Sequence, residues 1–67
     1  MDNIEKYLAK TNQTFQYLMS GSMQHGEDFI TNILVEEALN EGKKIVWTKH
    51  LVDGKEVGLL NYELQPI

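Results

Sequence analysis

Between residues 3 and 20 the apolar and neutral side chains recur three and four positions apart: Ile4, Tyr7, Leu8, Thr11, Phe15, Leu18 and Met19. That spacing lays them along one stripe of an α-helix and predicts a helix over 3–20. Asp2 or Asn3 suits its N-cap and Glu5 its first turn. Gly21 is expected to close it in a left-handed conformation. Lys6, Lys10, Asn12, Gln13 and Gln16 fall off the stripe and belong to solvent. Tyr17 also falls off it, and tyrosine is a residue type enriched at interface hot spots.

After the breaker segment 20–28, SGSMQHGED, a second helical pattern runs over 27–41. Glu27 and Asp28 match its positive end, Gly42 its stop, and Lys43 and Lys44 its negative end. Ser22 could cap an earlier start, at the expense of placing Gly26 inside the helix. Ile30, Ile33, Leu34 and Ala38 form the central stripe, flanked by Phe29 on one side and by Val35 and Leu39 on the other. So wide an apolar arc implies contact with two layers, the first helix and the C-terminal third of the chain.

That C-terminal third reads as a β-hairpin. Residues 44–52 and 55–65 alternate, and Asp53-Gly54 between them is a strong type I′ turn signal, because both central residues need positive φ. Pro66 ends the second strand. A two-residue turn carried straight through sets Trp47 opposite Leu60, Ile45 opposite Tyr62, Lys49 opposite Gly58 and Lys44 opposite Glu63. One face then gathers Ile45, Trp47, Leu51, Leu60, Tyr62 and Leu64. A one-residue slip would mix polar and apolar side chains there, so the unslipped register is preferred.

The other face carries Val46, Thr48, His50, Val52, Val57, Leu59 and Asn61. Four of these are aliphatic, and a helical layer covers only one face of a hairpin. A two-stranded sheet also presents two open edges. The expectation is that another chain covers this face or an edge, a second copy being the simplest case. Val46, His50, Val52, Val57, Leu59 and Tyr17 are the candidate interface residues. Scattered exposed aliphatics are also ordinary on any protein surface.

Size sharpens that expectation. The 67 residues are read as one domain, 1–67. A domain so small buries only about 60% of the surface that its unfolded chain exposes. The chain has no cysteine, so neither a disulfide nor a thiolate metal site supplements the core. The predicted class is small α+β in the order α-α-β-β, a helical hairpin packed on one face of a two-stranded antiparallel β-hairpin.

Charge and spacing argue against most chemistry. Ten acidic residues face six basic ones, all lysine, for a net charge of -4. Without arginine, bidentate readout of guanine or phosphate is missing, which speaks against nucleic acid as a partner. His25-Gly26-Glu27-Asp28 matches no metal-site spacing, and His25 reads as a solvated loop residue. Glu36 and Glu37 sit about 100° apart on a helix and do not converge as paired carboxylates must. GSMQHG is not a nucleophile elbow, and the glycines read as caps, breakers or turns, with no phosphate loop among them. No enzyme, metal or cofactor is expected. Nothing at the start has the basic n-region of a signal peptide, and no apolar run reaches spanning length, so a cytoplasmic location off the membrane is expected.

The function that survives is a small acidic protein-binding module, an adaptor, inhibitor or regulatory accessory protein of the bacterial or phage kind, acting as a homodimer. The alternative is a winged-helix-like nucleic-acid regulator, because Lys43, Lys44, Lys49 and Lys55 gather on the hairpin.

Overall fold

The computed structural model describes residues 2–67, the side chains of residues 57–60 excepted. Helix α1 (Asn3–Thr11) begins where Asp2 Oδ1 accepts the Glu5 N–H at 2.9 Å. It ends at Asn12, whose φ of 60° lets its N–H reach the Leu8 carbonyl at 2.9 Å. Thr14 then caps α2 (Phe15–Met19), its hydroxyl oxygen accepting the Tyr17 N–H at 3.0 Å. The single helix expected over 3–20 is therefore broken at 12–14. The cause is local: asparagine tolerates the left-handed region, and threonine competes for the main chain as a cap. The break resets the helical phase. Leu18 stays buried, whereas Phe15, expected on the stripe, is 54% exposed.

One turn, α3 (Ser22–His25), precedes Gly26, which breaks the helix at φ 82° and ψ 147°. From there α4 (Glu27–Phe29), a π-helical stretch (Ile30–Leu34) and α5 (Val35–Glu41) run on without interruption, over the span the pattern predicts. Gly42 closes this rod at φ 66°. The π stretch fits more residues into each turn than an α-helix does. It brings Ile30, Leu34, Val35 and Ala38 onto the buried side and swings Ile33 out, so Ile33 is 56% exposed and not part of the core.

Strands β1 (Lys43–Val52) and β2 (Lys55–Pro66) pair antiparallel. Asp53 and Gly54 adopt the positive φ values, 53° and 79°, that the turn demands. Val52 pairs with Lys55 and Leu51 with Glu56 as expected. Between Lys49 and Leu51 the register then shifts: Lys49 faces Leu60, Trp47 faces Tyr62, Ile45 faces Leu64 and Lys44 faces Gln65. The expected pairs Trp47–Leu60, Ile45–Tyr62, Lys49–Gly58 and Lys44–Glu63 are thus incorrect. The second strand spends four positions where the first spends two. An even slip preserves the alternation of faces, so Ile45, Trp47, Tyr62 and Leu64 still share the helical face, with Trp47 now beside Tyr62 and Ile45 beside Leu64.

The class is α+β, with the helical part divided into more segments than the two helices expected. α1 and α5 pack on each other and both pack on β1. Tyr7, Leu18, Ile30, Leu34, Val35, Ala38 and Ile45 form the buried core. Trp47 and Leu64 border it on the sheet side.

Candidate protein-docking hairpin

Element lengths decide where the hairpin goes. The ten residues of β1 span about 33 Å at about 3.3 Å each. The 27–41 rod rises only about 1.5 Å per residue, for about 22 Å in all. A strand pair on a shorter helical layer must overhang it. The molecule accordingly measures 42 × 23 × 18 Å, with a radius of gyration of 12.3 Å. A compact chain of this length would have a radius of about 11 Å.

The overhang is the turn end. Every residue from Lys49 to Glu56 is exposed. Leu51 lies in this overhang, 58% exposed, so its expected place in the core is not found. Val52 on the opposite face is 47% exposed. Among the other candidates, His50 is exposed and its Nδ1 lies 3.3 Å from Asn61 Nδ2, while Val46, nearer the base, is half-buried. The side chains of Val57 and Leu59 lie outside the described residues.

The base, by contrast, is clamped. Tyr7 Oη accepts the Ile45 N–H at 2.8 Å and donates to Gln13 Oε1. Gln13 Nε2 donates to the Ile45 carbonyl at 2.9 Å. Tyr17 Oη accepts the Trp47 N–H at 3.1 Å, and the Tyr17 carbonyl accepts Trp47 Nε1–H at 3.0 Å. Side chains from the first helical segments thus stand in for a third strand along the base of β1. Gln13, expected in solvent, is half-buried by this role. Tyr17, a candidate for contact with another chain, is engaged within its own.

Rings complete the clamp. His25 stacks on Trp47 (centroids 5.6 Å apart, planes at 17°) and meets Tyr62 edge-on at 5.6 Å. Phe29 joins at 5.8 Å from His25 and 6.2 Å from Tyr62. His25 is therefore a half-buried member of an aromatic cluster and not the solvated loop residue expected. Gly21, one turn before it, is buried against the same indole. A Cβ there would lie 2.5 Å from Trp47 Cη2. Its φ of -87° shows that close approach, and not the expected left-handed cap, is what requires glycine at this position.

Charges on the hairpin are partly matched, at its turn end and at its base. Lys49 Nζ lies 3.1 Å from Glu56 Oε1, and Lys43 Nζ lies 3.9 Å from Glu41 Oε1. Burial pushes the Tyr7 hydroxyl above its ordinary pKa, against the opposing pull of the Ile45 N–H it accepts. Among the described residues no three His, Asp or Glu side chains converge as metal ligands, and no helix is long and apolar enough to cross a membrane. An open hollow lined by Asp2, Asn3, Ile4, Thr31 and Asn32 adjoins the start of α1. Asp2 Oδ1 there already accepts the cap bond. No known family, curated protein or solved structure matches the chain.

Proposed function

We propose that this chain is a small non-enzymatic protein-binding module, an adaptor, inhibitor or regulatory accessory protein, built as an α-α-β-β scaffold and self-associating through its hairpin. The overhanging turn end carries this reading. A two-stranded ribbon is marginal in water when nothing packs on it, yet this one holds Leu51 and Val52 in solvent on opposite faces. Burying them against another chain removes apolar area from water at about 25 cal/mol per Å². The clamped base supports the same reading, because it gives the arm a fixed direction and lowers the ordering cost of binding.

The test is a paired substitution at the turn end, Leu51→Asp with Val52→Lys. Capture of any host partner should fall at least tenfold, while the helical circular dichroism stays unchanged. Undiminished capture by the folded double variant would contradict the assignment of the arm. A winged nucleic-acid regulator remains the second reading, resting on the lysines that the hairpin carries.

A further inference from the structure

The two edges of the sheet are unequal. Along β1, Ile45 and Trp47 turn their main-chain groups away from β2 and into Tyr7, Gln13 and Tyr17. Ile45–Leu64 and Trp47–Tyr62 are therefore the close, non-hydrogen-bonded pairs of the ladder. Leu64 and Tyr62 must then also turn their N–H and C=O groups outward, to the far edge of β2. Among the described residues nothing hydrogen-bonds to those groups. Asn61, Tyr62 and Glu63 along this edge are exposed. A capped edge beside a bare one marks the bare one as the pairing template.

Resting on the self-association reading, we infer that the β2 edge pairs antiparallel with the β2 edge of a second copy, about a two-fold axis through Tyr62. The outward groups belong to even-numbered residues, so even must face even, and few registers qualify. An axis at Glu63 sets the two Glu63 carboxylates opposite each other, a repulsive pair. An axis at Leu64 sets Pro66, which has no N–H, opposite Tyr62. An axis at Asn61 sets Leu64 opposite Gly58 and wastes the apolar side chain. With the axis at Tyr62, Tyr62 meets its own copy on the helical side, and Asn61 faces Glu63 of the second copy on the other, an amide donor beside a carboxylate. The twofold preserves the faces, so both helical layers lie on one side of a four-stranded sheet. The half-exposed Tyr62 ring of each copy is then covered where the aromatic clusters meet.

Cross-linking reads this register directly, since the chain has no native cysteine. Residues 61 and 63 of the two copies would form a non-hydrogen-bonded pair, with Cα atoms near the separation a disulfide needs. Purified Asn61→Cys and Glu63→Cys proteins, mixed and mildly oxidised, should give a mixed disulfide dimer, and each alone should remain uncross-linked. Self-cross-linking of Glu63→Cys or of Asn61→Cys would overturn the register. A wild type that sediments as a dimer while the mixture fails to cross-link would overturn the edge assignment and leave self-association standing. A monomeric wild type would remove both.

Discussion

Tyr17 holds Trp47 by two hydrogen bonds, its hydroxyl taking the main-chain N–H at 3.1 Å and its carbonyl taking the indole Nε1–H at 3.0 Å. The carbonyl bond survives in Tyr17→Phe and the hydroxyl bond does not. Both bonds are exposed to water, so the loss should be about 0.5–1.5 kcal/mol. Amide exchange should show where the bond went: the Trp47 N–H should exchange faster in Tyr17→Phe, with the Ile45 N–H unchanged. Equal protection of Trp47 in both proteins would contradict the clamp.

Gly21→Ala is the sharper probe of the same ring. The added methyl would lie 2.5 Å from Trp47 Cη2 and 2.7 Å from its neighbours Cζ2 and Cζ3. The indole cannot retreat freely, since His25 stacks on it and Tyr17 bonds its nitrogen. Overpacking of this kind costs typically about 1–3 kcal/mol, a large part of the stability of so small a domain. Denaturant unfolding monitored by Trp47 fluorescence measures it. Because φ at Gly21 is ordinary, an unchanged midpoint would mean that the ring does not sit on the glycine.

These relationships mark the limit of what the pattern of residues conveys. The 27–41 rod, its Gly42 stop and the Asp53-Gly54 turn were legible because each depends on neighbours in sequence. The break at 12–14 was also written locally, in Asn12 as a left-handed cap and Thr14 as an N-cap, but the continuing apolar spacing outweighed it. The shift of register was invisible, since a slip by an even number of residues leaves every face unchanged. The place of His25 was hidden because its neighbours in the fold, Trp47 and Tyr62, are distant along the chain. Of the candidate interface residues, Val52 and His50 do stand exposed on the arm, Val46 lies half-buried nearer the base, and Tyr17 is bound up in the clamp. The overhang itself could have been read from element lengths alone.

Alkaline pH should single out Tyr7. Its folded pKa lies above the ordinary value of 10.0, chiefly through burial. The unfolded chain therefore binds fewer protons than the folded one above about pH 10, and stability falls as pH rises through the folded pKa. Tyr7→Phe removes this fall. It also strips the Ile45 N–H of its acceptor, at a cost of about 1–3 kcal/mol near neutral pH. Melting curves from pH 8 to 11 on both proteins check the two effects together. An identical alkaline slope in the variant would contradict the buried hydroxyl.

Nucleic acid should bind weakly or not at all. Lys49 and Lys43 each lie beside a carboxylate, leaving few cations for phosphate. Labelled duplex and single strands at low salt should show no affinity tighter than about 10 µM, since such binding would rest on lysine–phosphate contacts. Submicromolar binding that weakens steeply with salt would favour the wing over the protein-docking arm.

The most direct measurement is the melting temperature of the wild type as a function of protein concentration, with sedimentation equilibrium on the same samples. If the hairpin joins two copies, folding is linked to association. The melting temperature should then climb with concentration up to about 100 µM, with the weight-average mass rising toward twice that of the chain. A melting temperature independent of concentration, with a monomer at every loading, would contradict self-association through the hairpin.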